Sequence, residues 1–161
     1  MEISLLMIEA ELVKILKIKN LIITTAESCT GGMIASRIVN VPGASAVFKQ
    51  GYITYCDEAK ISMLGVSRQT IEKYYAVSSQ TAEEMAAGGA KAARADICVA
   101  VTGVAGPDKE DGKPVGLVYI GLYMCGKCYV KECNFNGDRA AIREQACETA
   151  LEMTLENLKR I

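Results

Sequence analysis

The sequence contains no histidine at all. That absence excludes every Ser–His or Cys–His catalytic arrangement and every His-ligated metal centre. Acid–base chemistry in this chain falls to lysine, tyrosine, cysteine or carboxylates. No apolar stretch reaches the length of a membrane span, and Glu2, Glu9, Glu11 and Lys14 interrupt the N-terminal region. A secretory signal is also absent, so a cytoplasmic protein is expected, with no membrane partner. Nor is there a basic cluster: 18 Lys and Arg stand against 19 Asp and Glu, a formal net charge of −1. A nucleic-acid footprint needs clustered Lys and Arg, so that partner is set aside. Repeats, linkers and low-complexity tracts are missing too.

Seven cysteines are present. An odd number cannot all pair within one chain, and reduced thiols are the simplest expectation. Cys125-Gly126-Lys127-Cys128 is the only CxxC, and it lies between two strand-like runs, with Gly126-Lys127 as the expected hairpin turn. Zinc needs further ligands and only Cys133 is near, so no metal or other cofactor is expected.

The 161 residues, half of them apolar, suit one compact domain over residues 1–161. From Leu5 to Lys17, apolar positions recur at helical spacing, and Asn20 ends that helix. Leu21–Thr25 reads as a buried strand, Gly32–Val39 as a helix stopped by Pro42-Gly43, and Val47–Tyr55 as a second strand. Asp57 is placed as the cap of a short helix to Leu64 that Gly65 closes, and Ser67 as the cap of another through Lys73. A longer helix runs from Ser79 to Ala93, with a small-residue face suited to close packing on a sheet or on another subunit. Ile97–Val101 is an uninterrupted apolar strand. Two further strands, Gly116–Met124 and Tyr129–Phe135, precede a terminal helix capped by Asp138. Five strands mixed with helices predict an α/β fold, a three-layer α/β/α sandwich on a mixed, mostly parallel sheet.

Thr24-Thr25-Ala26-Glu27-Ser28-Cys29-Thr30-Gly31-Gly32 is the stretch with the most chemistry. A strand passes through a tight Ser/Thr/Gly turn into a helix, whose first N–H groups lack intrahelical partners and favour anions. Phosphate binding and nucleophilic catalysis are both open to it, and so is a plain helix start whose hydroxyls satisfy backbone donors. Ligands of open α/β sheets bind beyond the carboxyl ends of parallel strands. Three such ends carry suggestive residues: Ser28 to Gly32, Tyr55 with Lys60, and Thr102-Gly103. Without histidine, a serine is activated by a lysine kept neutral through desolvation, which makes Ser28 and Lys60 a candidate pair with Tyr55 to relay or orient the proton. Lys60 equally reads as a solvated helix lysine. Arg139 and Arg143, one helical turn apart, suit either a phosphate clamp or pairing with Asp138 and Glu144.

The segments Thr25–Gly32, Gly51–Lys60, Gly65-Val66, Ala76–Ser78, Thr102–Pro107 and Lys113–Gly116 together resemble, in order and spacing, the CinA C-terminal domain family. Enzymes of that family include nicotinamide mononucleotide deamidase. The resemblance implies a three-layer α/β/α domain with a mixed five-stranded sheet. It also implies hydrolysis of the carboxamide of nicotinamide mononucleotide to nicotinic acid mononucleotide and ammonia, without cofactor. By motif, Ser28 is then the nucleophile, Lys60 its base and Tyr55 an assisting hydroxyl. Thr30, Gly31, Gly32, Thr102 and Gly103 cradle the substrate, Arg139 is a phosphate ligand, and a homo-oligomer is implied. This chain has Cys56-Asp57 where the family often has Ser-Asn, and Asp57 places a negative charge near Lys60. Longer members carry an N-terminal domain that this sequence lacks. The alternatives are a nucleotide-binding or regulatory module without turnover, and a purely structural oligomerisation domain.

Overall fold

A computed structural model describes residues 2–161, with side chains from Ile8 onward. Leu5, placed on the apolar face of the first helix, therefore lies outside the described side chains. Helix α1 (Glu2–Lys19) ends at Asn20, which takes a positive φ of 56°. Strand β1 (Ile23–Glu27) follows, then α2 (Met33–Val39) and β2 (Tyr52–Ile53). Next come α3 (Asp57–Leu64), α4 (Arg68–Tyr74), α5 (Ser79–Ala93) and β3 (Ile97–Gly103). β4 (Leu117–Met124), β5 (Lys127–Asn134) and α6 (Arg139–Leu158) complete the chain.

The sheet order is β2-β1-β3-β4-β5. β1 pairs in parallel with β2 and with β3, in a register that sets Ala26 opposite Tyr52 and Ala100. β4 runs antiparallel to both β3 and β5, so four of the five strands point the same way. The carboxyl ends of β1, β2 and β3 consequently open at one edge, where the candidate site residues gather.

Alternation along the strands divides two cores. Ile23, Val99, Val101, Ile120 and Leu122 face α1, α2 and α6, and pack with Leu12, Leu16, Ile34, Ile142 and Leu151. The opposite face is built of small residues: Ala26, Cys98 and Ala100 meet Leu64, Ile71, Met85, Ala86 and Ala90. Small side chains there let α5 sit unusually close. A Cβ on Gly121 would fall 2.3 Å from the Ala82 carbonyl oxygen, and one on Gly89 would fall 2.6 Å from Cys98 Sγ. The small-residue face of α5 is thus used on its own sheet. Self-association, if it occurs, needs another surface.

Three local expectations are corrected. The strand expected over Val47–Tyr55 shrinks to Tyr52–Ile53: Phe48 makes only an isolated bridge to Ile23, and the chain leaves the ladder between them. Gly51 marks that bend, since a Cβ there would meet Thr25 Oγ1 at 2.6 Å. The hairpin turn is Cys125-Gly126, not Gly126-Lys127, because Met124 pairs with Lys127. Both turn residues have positive φ (49° and 91°), the geometry that matches strand twist in a two-residue hairpin. Asp57 is the first residue of α3, and Cys56 occupies the cap position without a side-chain cap. The Asp138 cap is as expected, accepting from the Ala141 N–H at 2.9 Å.

Arg37, the lone charge on α2's apolar side, ties three helices together. Its Nε donates to Glu9 at 2.8 Å and its Nη1 to Glu148 at 2.7 Å. Among the described residues no helix is long and apolar enough to cross a membrane. All seven cysteines are free.

Candidate active site

At the carboxyl end of β1 the chain turns sharply, and Ser28 stands on that turn, 8 % exposed. Lys60 comes from α3 and is 1 % exposed, one of the largest fully buried side chains among the described residues. Its Nζ donates to Ser28 Oγ at 3.0 Å and to the Thr54 carbonyl at 2.8 Å. Thr54 is fixed in turn by its N–H on the Glu27 carbonyl, at 2.8 Å. The reading of Lys60 as a solvated helix lysine is therefore corrected: the first turn of α3 points the amine inward, beneath the strand ends.

Burial lowers the Lys60 pKa from its usual value, because a charged ammonium loses its hydration. The Asp57 and Glu110 carboxylates pull the other way without outweighing it. When the amine gives up its extra proton it gains a lone pair, and the same contact can then run from the Ser28 hydroxyl to Lys60. This is the arrangement that a histidine-free base requires.

Glu27, the last residue of β1, is fully buried and governs the turn from behind. Its Oε1 accepts from Thr30 Oγ1 (2.7 Å), the Gly32 N–H (3.2 Å) and the Ile34 N–H (3.0 Å), and its Oε2 from the Ala35 N–H (3.1 Å). The anion at the start of α2 is thus an internal carboxylate. Thr30, Gly31 and Gly32 do not line the cleft, and the donors that suggested a phosphate cradle already belong to Glu27. Thr30 is itself fully buried.

An account of the turn's remaining N–H groups is informative. Ser28 donates to the Val101 carbonyl, Gly31 to that of Ser28, and Met33 to that of Thr30. The N–H groups of Cys29 and Thr30 have no oxygen acceptor among the described residues, and that of Cys29 has only its own thiol beside it. They directly follow the candidate nucleophile.

The cleft holds about 130 Å³ and is lined by Ser28, Cys29, Tyr55, Lys60, Thr102 to Gly106, and the acidic Asp57, Asp108 and Glu110, with Arg139 at its mouth. Thr102 and Gly103 line it, although the Thr102 hydroxyl is engaged on the Ala76 carbonyl at 2.9 Å. The Tyr55 hydroxyl accepts from Arg139 Nη2 at 2.9 Å, and Arg139 Nη1 donates to the Gly106 carbonyl at 2.6 Å. Arg139 thereby spans two loops across the cleft, and Tyr55 is bonded to it rather than to Ser28 or Lys60. Arg143 pairs with neither a phosphate nor a carboxylate: its Nε donates to the Cys29 carbonyl at 2.8 Å and its Nη2 to the Thr30 carbonyl at 3.2 Å. Cys29 is buried and its thiol is pushed up to about 12 by desolvation, far from a reactive thiolate. Among the described residues no group of three or more Cys, Asp or Glu is placed to hold a metal ion.

The contacts of Glu27 and of Arg143 escaped sequence reasoning. The one signal for Glu27 was an acidic residue closing a strand otherwise devoid of charge.

The model of the CinA C-terminal domain matches residues 6–158. The chain belongs to this family. It is 51 % identical over 146 residues to a CinA-like protein of Kosmotoga olearia, covering 90 % of this chain and 35 % of that one. The chain spans little more than a third of the length of the curated relatives it matches. Crystal structures of CinA proteins are closer in size. A CinA superfamily protein from Klebsiella pneumoniae is 33 % identical with a TM-score of 0.93, covering 98 % of this chain and 99 % of that one. A competence/damage inducible protein from Agrobacterium tumefaciens is 39 % identical with a TM-score of 0.91, covering 96 % and 95 %. The three-layer α/β fold with its mixed five-stranded sheet is the CinA fold.

Proposed function

We propose that this CinA-family protein is a serine amidohydrolase that deamidates nicotinamide mononucleotide, with Ser28 as nucleophile and Lys60 as general base. The observation that carries the reading is the fully buried Lys60 amine, 3.0 Å from Ser28 Oγ. An amine has little reason to be buried beside a hydroxyl unless its lone pair is used. The nucleotide substrate comes from the family resemblance.

The mechanism follows from the contacts. Neutral Lys60 takes the hydroxyl proton as Ser28 Oγ attacks the carboxamide carbon. The oxyanion meets the N–H of Cys29, the residue after Ser28 that lines the cleft. Lys60 returns the proton to the leaving nitrogen, and the C–N bond breaks to give ammonia and an ester on Ser28. Water, deprotonated by the same lysine, then releases the acid. No cofactor takes part. A cleft of about 130 Å³ is smaller than the roughly 300–1,000 Å³ of pockets that engulf whole ligands. It suits the pyridine ring and its amide, with ribose and phosphate toward Arg139 at the mouth.

The test is ammonia release from nicotinamide mononucleotide, with binding measured in parallel. Turnover by the wild type, and binding without turnover by Ser28→Ala, is the expected pair of results. Binding without turnover by the wild type leaves the nucleotide-binding module as the correct reading.

A further inference from the structure

Arg143 sits on the second turn of α6, outside the Ser28–Lys60 pair, and its contacts are unusual. A guanidinium near a helix start normally finds a carboxylate. Among the described residues none lies within ion-pair distance of Arg143. Instead it donates to two consecutive carbonyls, Cys29 and Thr30, immediately after Ser28.

We infer that Arg143 is a positioning residue for the proposed Ser28 chemistry, acting through the carbonyls of Cys29 and Thr30 to hold the turn that aims the Cys29 N–H at the oxyanion. The inference rests on the reading of Ser28 as nucleophile. Three peptide planes are involved. The Thr30–Gly31 plane is fixed by Arg143 Nη2 on its oxygen, and its N–H, that of Gly31, donates to the Ser28 carbonyl at 3.1 Å. That bond fixes the Ser28–Cys29 plane, whose N–H is the free donor of Cys29. The plane between them is held by Arg143 Nε on the Cys29 oxygen, and its N–H, that of Thr30, is buried outside the cleft.

One side chain from α6 therefore locks all three planes, and from the carbonyl side only. The Cys29 N–H is left uncontacted by it. A positive charge on the carbonyl end of a peptide also polarises its N–H and makes it a better donor. Glu27 anchors the far end of the same turn through Gly32, Ile34 and Ala35, so the segment between has little freedom left. Pre-set donors of this kind gain most at the transition state, and loss of one costs roughly 100- to 1,000-fold in rate. Loosening them without removing them should cost less, about 10- to 100-fold.

The test is the rate at which an alkyl fluorophosphonate labels Ser28, followed by mass spectrometry of the intact chain. This reaction passes through an oxyanion but needs no particular amide substrate. Wild type, Arg143→Ala and Arg143→Lys are compared across pH, with thermal unfolding recorded for each. The expected result is slowing of about 10- to 100-fold in Arg143→Ala and a smaller loss in Arg143→Lys. The pH midpoint, set by Lys60, should not move. Where nicotinamide mononucleotide is turned over, kcat falls and KM stays within about threefold. Labelling of Arg143→Ala at the wild-type rate, or a shifted midpoint, overturns the inference. If Arg143→Ala shows no cooperative melt, Arg143→Lys decides, and a rate within twofold of wild type overturns it. A wild type that is not labelled at Ser28 refutes the nucleophile itself, a different failure, and the inference falls with it.

Discussion

Replacing Lys60 by methionine separates the two consequences of burying an amine. The side chains are similar in length, so packing around this 1 % exposed position is largely kept. The variant loses the contacts to Ser28 Oγ at 3.0 Å and to the Thr54 carbonyl at 2.8 Å. Without its base, Ser28 should turn over at least about a thousandfold more slowly, the scale found when a member of a catalytic unit is removed. Stability should respond in a way that depends on pH. In the unfolded chain Lys60 titrates near 10.4, as an ordinary lysine does. In the folded protein burial holds its pKa below that. Between the two values the unfolded state binds one proton that the native state does not. Native stability due to Lys60 therefore rises with pH in that window, with a slope approaching about 1.4 kcal/mol per pH unit, and is flat below the folded pKa. Methionine carries no such proton. Urea unfolding of both proteins from pH 7 to 10.5 should show the wild type gaining on the variant as pH rises toward 10.5. Parallel curves over the whole range would refute the claim that burial tunes Lys60.

Three further outcomes are expected. Cys29→Ala should retain most deamidation while Ser28→Ala loses it, because the Cys29 thiol is pushed up to about 12 and is not a nucleophile near neutral pH; a dead but folded Cys29→Ala reverses that assignment. Glu27→Ala should lower the thermal midpoint sharply and cost at least about 2 kcal/mol by urea unfolding, since it strands three buried or half-buried N–H groups and the Thr30 hydroxyl; a melt within a degree or two of wild type rules out the internal cap. Self-association, if present, should run through the β5 edge and its half-exposed Tyr129 and Val130, because the α5 face is spent on the sheet; sedimentation of wild type against Val130→Lys distinguishes this, and an oligomer indifferent to the substitution excludes it.

Much of the frame was legible in the sequence because it rests on local signals. The uninterrupted run Ile97–Val101 reads as a strand covered on both faces, and the Asp138 cap and Gly65 stop follow from side-chain chemistry at helix ends. The edge strand did not read correctly, since the bend at Gly51 arises from Thr25 across the sheet, which no local pattern announces. The site divides the same way. Ser28 on its glycine turn is visible as a motif. Whether Lys60 faces water or the interior depends on where α3 docks relative to β1, and spacing along the chain is silent on that. Glu27 and Arg143 are harder still. Each acts over many positions, Glu27 upon residues 30 to 35 and Arg143 upon a turn more than a hundred residues earlier. Their partners are backbone atoms, which leave no complementary residue in the sequence to look for.

The charges around Lys60 bear on why burial has to be so complete. The Asp57 and Glu110 carboxylates act to raise its pKa, and desolvation acts to lower it. Asp57 thus adds to what burial must overcome, and the net shift remains downward. A histidine would need no such treatment, because its ordinary pKa already lies near neutrality. With lysine the same effect takes a side chain drawn wholly out of water beneath three strand ends. The acidic lining has a second consequence on the proposed reaction. The substrate enters carrying a cationic pyridinium, and the product leaves with a new carboxylate beside Asp57, Asp108 and Glu110. Charges that oppose Lys60's neutrality therefore attract what enters and repel what forms, and the cost falls on burial, which the fold supplies.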